Sequence, residues 1–170
     1  MPIFRNCEIW YPHLDPKRPS TKFPGTPSWE VQIRTSSIEQ KKEWEEAGLK
    51  PKLMLHTKGE QEGEPILNDQ GKKQWRVNIR KKSILKDNTA AEPVTVIDGA
   101  MAEVNPRTIG NGTIANIKTK CYDKEDGGKT HILLGVQLTK HIVYVPKENE
   151  DFGEAETVRV EPEEKPDDAF

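Results

Sequence analysis

The chain has 170 residues, 33% of them hydrophobic and 32% charged, which leaves room for one domain with a modest core plus a tail. Thirteen prolines and twelve glycines argue against a helical bundle, and two cysteines exclude a disulfide framework. The apolar runs are far too short to cross a membrane, and no apolar segment follows the first Met, so neither a membrane span nor a signal peptide is expected and the setting is read as intracellular.

The net charge of −2 conceals an asymmetry. Residues 147–170 hold ten acidic and three basic residues, leaving 18 acidic and 23 basic in residues 1–146. A basic body joined to an acidic end is the distribution expected of a nucleic-acid binder with an interaction tail.

Residues 3–11 predict a first strand, ended by Pro12. Residues 12–27 carry five prolines with Lys17, Arg18 and Lys22, an extended basic loop flanked by Trp10, Tyr11 and Phe23. Trp29, Val31 and Ile33 alternate along a second strand that closes on Arg34. Residues 37–48 predict the one helix, capped by Ser36 or Ser37, anchored by Trp44 and stopped by Gly48. The polar, glycine-containing stretch 57–71 predicts a mobile loop.

Residues 72–82 form the most informative strand. Trp75, Val77 and Ile79 fall on one face, and Arg76, Asn78, Arg80 and Lys82 on the other, with Lys72 and Lys73 leading in. The first face suits a core. The second is either a solvated face that discourages edge pairing or a row of charge that meets an anion. Residues 93–98 predict a short strand, and Thr113–Tyr122 a long one with Asn116, Lys118 and Lys120 outward. Residues 124–129 predict a hairpin loop, and 131–145 a last strand with Ile132, Leu134, Val136 and Leu138 on one face and a bend or bulge at Gly135. Two strands, a helix and three or four further strands predict a mainly β fold. A five-stranded Greek-key OB-fold barrel with one short helix comes first, a β-sandwich second.

A surface for single-stranded nucleic acid needs cations for the phosphates and rings for the bases. The cationic candidates are Arg34, Lys72, Lys73, Arg76, Arg80, Lys82, Lys118 and Lys120; the aromatic ones are Trp10, Tyr11, Phe23, Trp75 and Tyr122. Trp29 and Trp75 share a face with Val and Ile, so each reads first as a core or barrel-end residue. The four histidines are scattered, and no metal-ligand, P-loop or nucleophile motif occurs. The chain is therefore read as non-enzymatic, with no cofactor and no metal. Residues 147–170 are expected to be a disordered acidic tail beside a DNA-binding domain over 1–146. Asp167, Asp168 and Phe170 make a ready ligand for a partner's apolar pocket with a basic rim.

Three features occur together: a Trp-x-Val-x-Ile-Arg strand before a short helix, Ile109–Thr113 running into a long basic strand, and an acidic tail closing on Phe170. The combination resembles the single-stranded DNA-binding proteins of tailed bacteriophages, the T7-like class in the broad sense. The resemblance implies an OB-fold, sequence-tolerant binding of single-stranded DNA in phage replication, recombination or repair, and action in the host cytoplasm. It also implies a tail that contacts replication proteins such as DNA polymerase and a helicase-primase and helps govern DNA access. The terminal aromatic of that family maps onto Phe170. A homodimer is left open, and the alternative reading is an OB-like protein-interaction or RNA-binding module.

Overall fold

The computed structural model describes residues 1–21 and 25–144. Phe23, Asp167, Asp168 and Phe170 lie outside the described residues, as does the whole of 147–170. Seven strands and one helix follow in the order β1 (Ile3–His13), β2 (Ser28–Thr35), α1 (Ile38–Glu46), β3 (Lys52–Leu53), β4 (Trp75–Lys82), β5 (Thr95–Asp98), β6 (Thr113–Asp123) and β7 (Lys129–Lys140). β1 pairs antiparallel with β2 and β6, β2 with β4, and β6 with β7. A parallel bridge between Arg80 of β4 and Ile132 of β7 closes the ring. Strands β1, β2, β4, β6 and β7 are thus a closed five-stranded Greek-key barrel, the OB-fold. The short strands lie outside it: β3 on the free edge of β4, and β5 parallel to β7.

Period-two alternation builds the barrel interior. Ile9, Val31, Ile33, Val77, Ile79, Ala115, Ile117, Leu133, Val136 and Leu138 are all buried in one core. Trp29 belongs to it too, 3% exposed, its indole N–H donating to the Asp15 carbonyl at 3.1 Å. α1 spans one end of the barrel through buried Trp44. Gln40 Nε2 donates to the carbonyls of Arg5 and Asn6, and His131 Nε2 to that of Ala47 at 2.8 Å. Ser37 is the N-cap, its hydroxyl accepting the Gln40 N–H. At the other end Gly48 N–H reaches the Glu45 carbonyl and Leu49 N–H that of Trp44, a Schellman motif with Gly48 at φ +96°.

Four details correct the sequence reading. Pro12 does not end the first strand, which runs to His13 because β1 gains one residue against β2 between Trp10 and His13. A bulge leaves a residue outside the ladder, so the missing proline N–H costs no strand bond there. The last strand stops at Lys140 rather than 145. Its core positions are Leu133, Val136 and Leu138, because an extra residue between the partners of Thr119 and Lys118 shifts the alternation at Leu134. Residues 57–71 are not a bare loop: Leu55 bridges Pro65, Leu67 bridges Lys73, and Asn68 Oδ1 accepts from the N–H groups of Gln70 and Lys72, both at 2.9 Å.

Candidate nucleic-acid interface

The outward face of β4 carries the charge that its alternation predicts, and the register sets its neighbours. Arg76 stands directly between Arg34 of β2 and Lys52 of β3, three cations in one cross-strand row. Like charges directly opposite one another destabilise a sheet. Asn78 faces Gln32, whose amide donates to it at 3.3 Å. Arg80 faces Glu30, with Nε and Oε2 3.8 Å apart, and Glu30 is 8% exposed. On its other side Arg80 bridges Ile132, which in turn faces Lys120 of β6. Barrel closure thus brings Arg80 and Lys120, distant in sequence, to either side of one isoleucine.

A cleft of about 360 Å³ opens over β4, walled by the α1–β3 turn and the β6–β7 hairpin. Lys50, Lys52, Arg76, Arg80, Lys124 and Lys129 line it with His131, and no carboxylate is among its described lining residues. Lys50, Lys52, Arg76 and Lys124 form no ion pair among the described residues. Lys129 Nζ meets Asp123 at 3.1 Å, which raises the lysine's pKa. At the hairpin, Asp126 accepts the Gly128 N–H at 2.8 Å; that bond, with Lys124 and Lys50 behind it, holds Asp126 below its ordinary value.

The other candidates distribute around this cleft. Tyr122, 43% exposed, faces Thr130 on the cleft's wall, with Lys120 Nζ 5.1 Å from its ring. Trp75 is half-buried beside Lys72 and Lys73 at the start of α1, with Lys41 Nζ 5.2 Å from its ring. Trp10 and Arg34 line a second cleft of about 560 Å³, and Tyr11 adjoins them. Lys82 is exposed at the end of β4 opposite Ser28. Lys118 stands apart, in an apolar cleft with Ile3, Thr95 and Leu134. Sequence reasoning missed Lys50, Lys52, Lys124 and Lys129. The signal for the first pair was Lys50-Pro51-Lys52, one residue beyond the helix-stopping Gly48; the second pair brackets the hairpin turn.

No family model and no curated protein matches the chain. Solved structures do. The single-stranded DNA-binding protein from bacteriophage Enc34, as a C-terminal truncation, is 17% identical over 82% of this chain and 85% of that one, with a TM-score of 0.45. The same Enc34 protein in complex with ssDNA gives 15% identity, 82% and 86% coverage, and a TM-score of 0.45. The single-stranded DNA-binding protein gp2.5 of bacteriophage T7 gives 13%, 94%, 99% and 0.45. All three are phage single-stranded DNA-binding proteins. The OB-fold assignment of this chain stands on its own strand pairing. Among the described residues no cluster of three metal-ligating side chains occurs, and no helix is long and apolar enough to span a membrane.

Proposed function

We propose that the chain binds single-stranded nucleic acid, DNA first, with little sequence preference and without catalysis. One observation carries the reading: six cations and no carboxylate line the described cleft over β4. β4 is the third strand of the barrel and the β6–β7 hairpin its fourth loop, the face and loop with which OB-folds hold oligonucleotides. Arg76, Lys52 and Lys50 take phosphates along the α1–β3 side; Lys124 and Lys129 take them along the hairpin. Tyr122 and Trp75 flank the track as stacking surfaces.

The biological setting is proposed to be phage DNA replication, recombination or repair in the host cytoplasm, on the resemblance of the sequence motifs. The acidic segment 147–170 is proposed to compete for the cleft and to engage a replication protein through Asp167, Asp168 and Phe170. Anisotropy of a labelled dT oligomer tests the core of the reading, with unlabelled single-stranded RNA and duplex DNA as competitors. Binding at low salt, displaced poorly by duplex, is expected. Absence of binding at low salt overturns the proposal, and stronger displacement by matched RNA than by DNA moves it to an RNA substrate.

A further inference from the structure

We infer that Trp10, Tyr11 and Arg34 form a stacking site for one unpaired nucleobase, set beside the phosphate cleft. The inference rests on the nucleic-acid reading of that cleft. Tyr11 sits in the bulge between Trp10 and His13 and takes a left-handed φ of +49°. A bulky residue seldom adopts that conformation, and bulges near binding sites re-aim side chains. The second bulge of β1 places Asn6 at +55°, a residue that tolerates the region. A tyrosine at the equivalent point is explained by its ring rather than by its backbone. One directed bond holds it: Tyr11 N–H donates to Asn111 Oδ1 at 2.7 Å. Tyr11 is 55% exposed, and its ring stands edge-on to Trp10, with centroids 6.0 Å apart.

Arg34 supplies the third surface. Its Cζ lies 3.9 Å from the Trp10 ring centroid and 5.5 Å from that of Tyr11. Glu8 stands directly across from Arg34 on β1, yet its carboxylate takes the Trp10 indole N–H at 2.6 Å and forms no ion pair with the arginine. Arg34 Nε donates to Gln32 at 2.7 Å, and its terminal nitrogens have no hydrogen-bond partner among the described residues. Guanidinium planes and aromatic rings are the surfaces on which unstacked bases lie, and the open nitrogens suit a phosphate. Because Arg34 also faces Arg76 directly, a strand leaving the cleft reaches this site within one strand spacing, about 5 Å. A base in a duplex has both faces covered, so the site favours single strands.

The test compares a dT oligomer with an abasic oligomer of equal length on the full chain, as wild type, as Tyr11→Gly and as Tyr11→Gly with Trp10→Leu. Glycine accepts the left-handed backbone without strain, and both changes conserve charge. The wild type is expected to prefer dT by about ten-fold or more, and the double variant to lower that ratio by about five-fold. If the double variant does not fold, Tyr11→Gly alone is read by the same ratio. An undiminished ratio overturns the stacking site and leaves the cleft standing. Failure of the wild type to bind either oligomer overturns the nucleic-acid reading itself.

Discussion

Arg76 has cations on both sides in the sheet, Arg34 on one strand and Lys52 on the other. A residue kept there for stability alone would be poorly chosen. Arg76→Gln is therefore expected to change the two observables in opposite directions. Thermal or urea unfolding should show equal or greater stability, by a few tenths of a kcal/mol, while affinity for a dT oligomer drops about ten-fold. A loss of stability with unchanged affinity would make Arg76 structural. Cys7 gives a pH prediction. Burial, with Glu43 behind it, pushes its thiol up to about 12 from the ordinary 9.0. The folded chain keeps that proton where the unfolded chain has lost it, so the contribution to stability falls as pH rises from about 9 to about 12, by about 1.4 kcal/mol per pH unit. Urea midpoints across this range should fall less steeply for Cys7→Ala than for wild type; identical slopes would remove the buried thiol from the account. Arg76 and Arg80 were legible because strand alternation alone exposes them. Tyr11 was only half legible: its flank position could be read, but the bulge that turns its ring outward depends on pairing with β2.

At the scale of the element, α1 and its exit turn join folding to the cleft. Gly48 closes the helix at φ +96°, and a Cβ there would meet Lys129 Cβ at 2.7 Å. Gly48→Ala is thus expected to cost about 1–2 kcal/mol or more from the backbone alone. It should also weaken DNA binding beyond any unfolding, because Lys129 and Lys50 on either side of it line the cleft. Chemical denaturation and anisotropy on the same sample separate the two effects; a stability loss with full affinity in the folded fraction would detach the turn from the site. The helix, its Trp44 anchor and its glycine stop were all readable from local signals. The strand ends were not: the two bulges of β1 and the shift at Leu134 come from partner strands far along the chain. Lys124 and Lys129 escaped for a similar reason. They look like ordinary turn lysines until the hairpin folds over β4.

Across the whole molecule, alternating strands and turn residues made the five-stranded barrel legible, whereas the strand pair that closes it was not. The ring closes through the Arg80–Ile132 bridge, a parallel contact between strands separated by β5 and β6 in the chain. That contact also assembles the site, because it sets the hairpin against the basic strand. Charge segregation along the chain gives a further expectation: 23 basic and 18 acidic residues in 1–146, against three and ten in 147–170. If the acidic segment competes for the cleft, a chain ending at 146 should bind a dT oligomer more tightly at low salt, with the difference shrinking as salt screens it. Equal affinity at every salt concentration would dismiss that competition.

The most direct test of the cationic cleft is the slope of log affinity against log salt for a dT oligomer, in wild type and in the Lys52→Gln, Arg76→Gln double variant. Each phosphate contact on a single strand contributes about 0.7 to that slope. The wild type should show a steep dependence, and the double variant a slope shallower by about 1.4. A slope unchanged by the double substitution would contradict the placement of the phosphates over β4.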